Sequence, residues 1–264
     1  MSDQRKYTAK LEGSRALVIG GSSGIGFTVA EACLEYGALV TVSSSNINRV
    51  QAAVEKLKTS YPSAKDRVFG LTVDLSKVET VEDELKTLLE GTVKEMGGKL
   101  DHVIFTAGDG LAVSKLEDLT AQKIIQTGQV RFVAPLLLAK FVPTYLNSSY
   151  KSTYTIATGS ISEKPKPGWS VIASYAGGVH SMVRNLALDL KPIRVNGVSP
   201  DVVDTELWSM PQEEKEKMMQ QASEKMLTGR PGQPEDVAEI FLAILKDRNM
   251  DGTIVRTDGG VLLM

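Results

Sequence analysis

Gly20-Gly21-Ser22-Ser23-Gly24-Ile25-Gly26 follows directly on the apolar run Ala16-Leu17-Val18-Ile19 and opens a helical pattern from about Ile25 to Tyr36. Strand, glycine-rich turn and helix in that order make a phosphate cradle. Glycines let the backbone turn tightly and approach a pyrophosphate, and the helix N-terminus offers it free N–H groups and partial positive charge. In isolation such a run is an ordinary turn, so its context decides the reading.

Outward from that turn the chain alternates short β-branched runs with longer helical patterns. Strands are predicted at Leu39-Val40-Thr41-Val42, Val68 to Val73, Val103-Ile104-Phe105, Tyr154-Thr155-Ile156-Ala157, Ile193 to Val198 and Thr253-Ile254-Val255. Helices are predicted between them, at about Asn48–Thr59, Val78–Met96, Asp118–Leu146, Ile172–Leu190 and Pro234–Leu245. Strand and helix repeated without a break mean an α/β fold, a doubly wound parallel sheet of about seven strands covered on both faces. No linker interrupts the pattern, so residues 1–264 read as one domain, with a mobile, lid-like insertion near 205–228 whose polar part is Pro211 to Lys225.

Composition narrows the function. The 264 residues are 42% hydrophobic and 23% charged, the balance of a globular chain rather than a disordered one. Thirty Lys and Arg against 32 Asp and Glu leave a net charge of −2, with no basic surplus for nucleic acid or an anionic membrane. The single Cys33 excludes an internal disulfide and reads as a small apolar residue on a helix. With only His102 and His180, both read as structural, no metal site is expected. The polar segment Met1 to Arg15 has no signal-peptide character, and runs such as Phe132 to Val142 are too short to span a bilayer, so a cytoplasmic location is expected.

The Gly-x-x-x-Gly-x-Gly spacing resembles the short-chain dehydrogenase/reductase family, a Rossmann-type fold, and further matches run along nearly the whole chain. Asp74-Leu75 resembles the family's adenine contact and Thr106-Ala107-Gly108 its Asn-Ala-Gly motif. Ser199-Pro200 with Val203 and Thr205 resembles the loop that holds the nicotinamide carboxamide, and Asp258-Gly259-Gly260 matches the C-terminal motif. Ile19 and Asp201 depart from the family's Thr and Gly. The resemblance implies a nicotinamide cofactor held by Gly20, Ser22, Ser23, Gly24, Ile25, Gly26, Asp74, Leu75, Ala107, Gly108, Arg131, Pro200, Val203 and Thr205. The second strand ends Ser43-Ser44-Ser45-Asn46, with Arg49 close behind. An NAD enzyme places a carboxylate there, yet none lies between Tyr36 and Glu55. Hydroxyls and a guanidinium suit a 2′-phosphate, so NADP(H) is the expected cofactor.

The family's catalytic Tyr-x-x-x-Lys pair is absent. Leu186-Ala187-Leu188-Asp189-Leu190 resembles its Leu-Ala-x-Glu-Leu, and that register puts Ile172 at the tyrosine position and Ala176 at the lysine position. Tyr175 is a substitute only if the register slips, and its partner four residues on is Val179. The serine position falls at Gly159, with Thr158, Ser160 and Ser162 nearby, and the fourth member falls at Arg131. Carbonyl reduction makes an alkoxide that needs a proton, whereas an iminium is neutralised by hydride and needs none.

These departures resemble a fungal subgroup of the family, the reductases of prenylated indole alkaloid pathways, which lack the Tyr/Lys pair and can also direct a Diels–Alder cyclisation. The matching stretch is Ser162-Glu163-Lys164-Pro165-Lys166-Pro167-Gly168-Trp169, with Arg131 and Asp109. In that subgroup a functional Asp stands where this chain has Lys166, leaving Glu163, Asp109 or Asp201 to supply negative charge.

The expected activity is NADPH-dependent reduction of an activated C=N bond in secondary metabolism, with Arg131, Asp109 and Trp169 as catalytic candidates and a small molecule as substrate. A cyclase holding the cofactor structurally and a non-catalytic NADPH-binding protein stay open. Trp169 and Trp208 flank the expected cleft, and Met218, Met219 and Met226 are candidates to line a lid. A homo-tetramer, with a dimer next, is expected through the helices that carry Ala134, Leu136, Leu137 and Leu138, and Ala173, Gly177 and Gly178.

Overall fold

The structure, a computed structural model, describes residues 3–111 and 113–264. The first half runs β1 (Arg15–Ile19), α1 (Gly24–Glu35), β2 (Leu39–Ser44), α2 (Ile47–Ser60), β3 (Val68–Thr72), α3 (Val81–Glu95) and β4 (His102–Phe105). There follow α4 (Ala121–Gly128), a π turn (Gln129–Val133), α5 (Ala134–Ala139), α6 (Val142–Tyr145), β5 (Thr153–Ala157) and α7 (Ser170–Asp189). The chain closes with β6 (Arg194–Pro200), α8 (Gln212–Ser223), α9 (Pro234–Lys246) and β7 (Ile254–Thr257).

The seven strands among the described residues are all parallel, in the order β3-β2-β1-β4-β5-β6-β7. Strand order reverses between β1 and β4, because the chain winds outward to β3 and then crosses back. Such a switch point leaves a crevice beyond the carboxyl ends of the strands. The pleat sorts the core by alternate residues. Leu17 and Ile19 face one layer with Leu85, Leu89 and Val183, and Ala16 and Val18 face the other with Val29, Leu57 and Phe241. The predicted α/β, doubly wound parallel sheet is therefore the observed architecture.

Two predicted elements are corrected. The helix expected over Asp118–Leu146 is broken into α4, the π turn, α5 and α6. Pro135 has no N–H for the carbonyl four residues back, and the ladder widens just before it: the Ala134 N–H donates to Gln129 O, five residues away. Pro143 starts α6 in the same way, at a helix N-terminal position. The segment Pro211 to Lys225, expected as a mobile insertion, is mostly α8. Glu213 and Glu214 in its first turn complement the helix dipole, and Lys215 Nζ lies 2.7 Å from Asp204 Oδ1 in the loop after β6.

Candidate active site

A cleft of about 690 Å³ opens over the carboxyl ends of β1 and β4. Its floor is the glycine-rich turn. Gly20 and Gly21 donate their N–H groups to Ser43 O at 2.9 and 3.1 Å, which folds the turn back onto β2. Gly20 sits at φ +90°, and a Cβ there would stand 2.5 Å from Ala107 N. At Gly26 a Cβ would collide with Gly20 O and Thr106 Oγ1. The turn, the start of α1 and the loop after β4 are thus packed backbone on backbone, which only glycine permits. At the start of α1, Ser23 caps no N–H with its side chain, and the first turn carries no acid. Those N–H groups stand free for a phosphate, and Ser22, Ser23, Gly24 and Ile25 line the cleft above them. This cradle fits the pyrophosphate of a nicotinamide dinucleotide.

At the end of β2, Ser44, Ser45 and Arg49 line the cleft. Two expected partners are corrected. Ser43 is fully buried in β2, and it serves the site through its backbone carbonyl. Asn46 is the N-cap of α2, its Oδ1 accepting from Asn48 N and Arg49 N at 2.9 and 3.2 Å, so its side chain is spent on the helix. Beyond β3, Asp74 and Leu75 line the cleft. Hydrogen bonds from Ser76 Oγ (2.6 Å) and N (3.0 Å), with Lys77 beside them, hold the Asp74 carboxyl below its usual range. Leu75 O accepts from Nε2 of Gln129, a buried residue of the π turn that the sequence reading missed. Its only signal was a polar side chain inside an apolar helical pattern.

On the opposite wall stand the residues expected at the family's acid position. Ile172, Ala176 and Val179, spaced along one face of α7, all line the cleft, and Thr158 Oγ1 donates to Ala176 O at 3.1 Å. Tyr175 reaches the cleft edge, but its hydroxyl donates to Ile124 O at 3.0 Å, and its ring packs against Phe132 with centroids 5.4 Å apart. Its hydroxyl proton is therefore committed to the α4 backbone. Pro200, Val203 and Thr205 close this end, with Trp208 Nε1 donating to Val203 O at 2.8 Å.

Two charged clusters flank this wall among the described residues. Arg131 Nε donates to Asp109 Oδ1 at 3.2 Å and its NH2 group to Asp109 O, with the guanidinium laid against Gly108, where a Cβ would stand 2.5 Å from Cζ. Burial pushes the Arg131 pKa down and Asp109 opposes it. Asp201 accepts from Ser160 Oγ through Oδ1, which also lies 3.8 Å from Lys166 Nζ. Lys166 in turn stands 5.6 Å from the centre of the Trp169 ring. Arg131, Asp109, Lys166, Asp201, Ser160, Trp169 and Trp208 all line the cleft. Glu163 does not. It is held by Arg256, whose hydrogen bonds and charge lower its pKa.

Met226 is buried and Met218 and Met219 are half-buried outside the cleft lining, so no methionine of a lid lines it among the described residues. His180 Nε2 and Ser162 Oγ share a hydrogen bond at 3.3 Å away from the cleft. Cys33 is fully buried on α1, and burial pushes its thiol up to about 12. No cluster of metal-ligating side chains occurs among the described residues, and no described helix is long and apolar enough to cross a membrane.

Comparison with known proteins shows the family. The family model of an SDR-like Rossmann domain matches residues 7–264. Short-chain dehydrogenase/reductase fsr5 of Gibberella fujikuroi is 45% identical over 266 aligned residues, covering 100% of both chains. Short-chain dehydrogenase/reductase ATR9 of Stachybotrys chlorohalonatus is 41% identical, covering 96% of this chain and 98% of that one. The solved structure of MalC reductase/Diels-Alderase from Malbranchea aurantiaca superposes with a TM-score of 0.92 at 38% identity, covering 98% of this chain and 100% of that one. The chain belongs to the short-chain dehydrogenase/reductase family of oxidoreductases.

Proposed function

We propose that this protein is an NADPH-dependent reductase of a C=N or similarly activated bond in secondary metabolism. The reading is carried by a glycine-rich cradle facing a wall that bears Ile172 and Ala176, the residues aligned with a proton-donating tyrosine and its lysine. A reduced nicotinamide held in this cleft supplies hydride. The turn at Gly20 and the start of α1 would hold its pyrophosphate, and Ser44, Ser45 and Arg49 would hold a 2′-phosphate.

Ile172 and Ala176 have no proton to give, so the wall is suited to an acceptor that needs none, such as an iminium. Asp109 is the carboxylate best placed to favour positive charge on the acceptor nitrogen, since its side chain is 43% exposed and lines the cleft. Arg131 fixes that carboxylate in orientation, and Trp169 offers a flat apolar face for a ring. The likeness to MalC, described as both reductase and Diels-Alderase, favours a second reading in which the cleft folds a substrate for cyclisation.

The test is NADPH consumption with a matched cyclic pair, N-methyl-dihydroisoquinolinium and tetralone. The iminium is expected to be reduced with a kcat/KM at least about a hundredfold above the ketone, the low end of what a positioned acid contributes. Equal rates would refute the reading. Product formed without NADPH consumption would favour the cyclase.

A further inference from the structure

We propose that Lys166 reads the substrate, and that the molecule bound in this cleft carries an electron-rich oxygen, a carboxylate above all, beside a flat ring. This rests on the same cleft as the reductase reading and adds the chemical class of its ligand.

The ion pair of Lys166 and Asp201 is asymmetric. The Asp201 side chain is 6% exposed and that of Lys166 is 38% exposed. A carboxylate so buried needs partners, and Asp201 has two: the Ser160 hydroxyl, which hydrogen-bonds it, and the Lys166 ammonium at 3.8 Å. That second separation is too long for a hydrogen bond. Lys166 therefore neutralises Asp201 through space, yet Nζ makes no hydrogen bond to any described residue. A ligand entering here meets the ammonium first, with the carboxylate behind it. Arg131 differs, because two of its donors already go to Asp109.

The ammonium also stands beside an aromatic ring. Lys166 and Trp169 belong to one loop, closed by the Trp169 N–H donating to Lys166 O at 3.3 Å, and the ammonium stands 5.6 Å from the indole ring. Gly168 at φ +79° makes the turn between them. The ammonium stands over the ring, so indole and cation are presented together: a flat ligand packs against the indole beside the ammonium, whose N–H donors are open to an acceptor on that ligand. Asp201 sets the limit on this cation, because the pair is neutral overall and the ligand's oxygen must compete with the carboxylate for it.

The experiment is a ligand-observed NMR titration of the full chain with two probes of one ring, naphthalene carboxylate and naphthylmethylammonium. The wild type is expected to bind the carboxylate at least about tenfold more tightly. Lys166→Met, which keeps the stem and removes the charge, should bring the two affinities within about threefold of each other. Lys166→Glu should invert the order. NADPH binding measured on the same samples shows that the variants are folded. Preference for the ammonium by the wild type, a preference unchanged in Lys166→Met, or binding of neither probe at millimolar concentration would overturn the proposal. No turnover enters this titration, so its failure leaves the reductase reading standing. Failure of that reading in the turnover assay likewise leaves the charge preference to be decided here.

Discussion

His102 opens β4 in the centre of the sheet, where its Nδ1 and Thr153 Oγ1 share a hydrogen bond at 3.0 Å. Burial pushes its pKa down from 6.5 to about 4, with Asp101 opposing the shift and Arg194 adding to it. Between those values the unfolded chain binds a proton that the folded chain refuses. The stability this histidine contributes is thus complete above 6.5 and is lost as pH falls toward 4, at no more than about 1.4 kcal/mol per pH unit. Thermal melts between about pH 7 and pH 5 should show a melting temperature that falls with acidity, more steeply in the wild type than in His102→Gln. Equal slopes in the two proteins would contradict this account of His102. Single residues differed in how openly the sequence declared them. The register from Leu186 to Leu190 was enough to put Ile172 and Ala176 on the cleft wall, because helical spacing is rigid. Ser43 and Asn46 misled, since residue type alone does not say whether a hydroxyl or amide faces a ligand or serves its own backbone.

At the scale of elements, the turn between β2 and α2 decides the cofactor. Its cleft-facing groups are Ser44, Ser45 and Arg49, with no acid to repel a phosphate. NADPH is expected to bind at least about tenfold tighter than NADH, worth about 1.4 kcal/mol, and Arg49→Glu should erase most of that difference. Fluorescence titration of both cofactors measures it, and equal affinities for the wild type would sink the assignment. The π turn shows where element-level reading ran out. Apolar periodicity signals a helix, but a single extra residue per turn changes which side chains face the cleft without changing composition. Here the widened ladder places Gln129 under Leu75 and Arg131 against Gly108. Pro135 was the legible cue, since a proline must leave a carbonyl one turn behind it without its donor.

For the whole molecule, the alternation of strand and helix made the parallel sheet legible, and the glycine turn after β1 located the cleft at its switch point. The quaternary expectation needs revision in its residues. Ala134 and Leu138 are buried in the chain's own core, and Gly178 leaves room for the Phe132 ring, where a Cβ would stand 2.7 Å from its edge. The apolar side chains left exposed on these helices include Ile125 (57%), Leu136 (45%) and Leu188 (71%), enough to keep assembly as the expectation. Light scattering should show a tetramer, with a dimer as the next outcome, and a particle of 28.5 kDa would contradict it.

The central claim is that a working nucleotide cleft has lost its proton donor at Ile172 and Ala176, and one measurement addresses it directly. Ketone reduction by Ile172→Tyr/Ala176→Lys is compared with the wild type under saturating NADPH, alongside Tyr175→Phe. The double variant should reduce tetralone at least about tenfold faster than the wild type, a fraction of the 10²–10⁴ that a positioned acid contributes. NADPH binding should be intact, and Tyr175→Phe should leave turnover of the iminium unchanged. A wild type that already reduces the ketone efficiently, and loses that activity in Tyr175→Phe, would make Tyr175 the acid and contradict the claim.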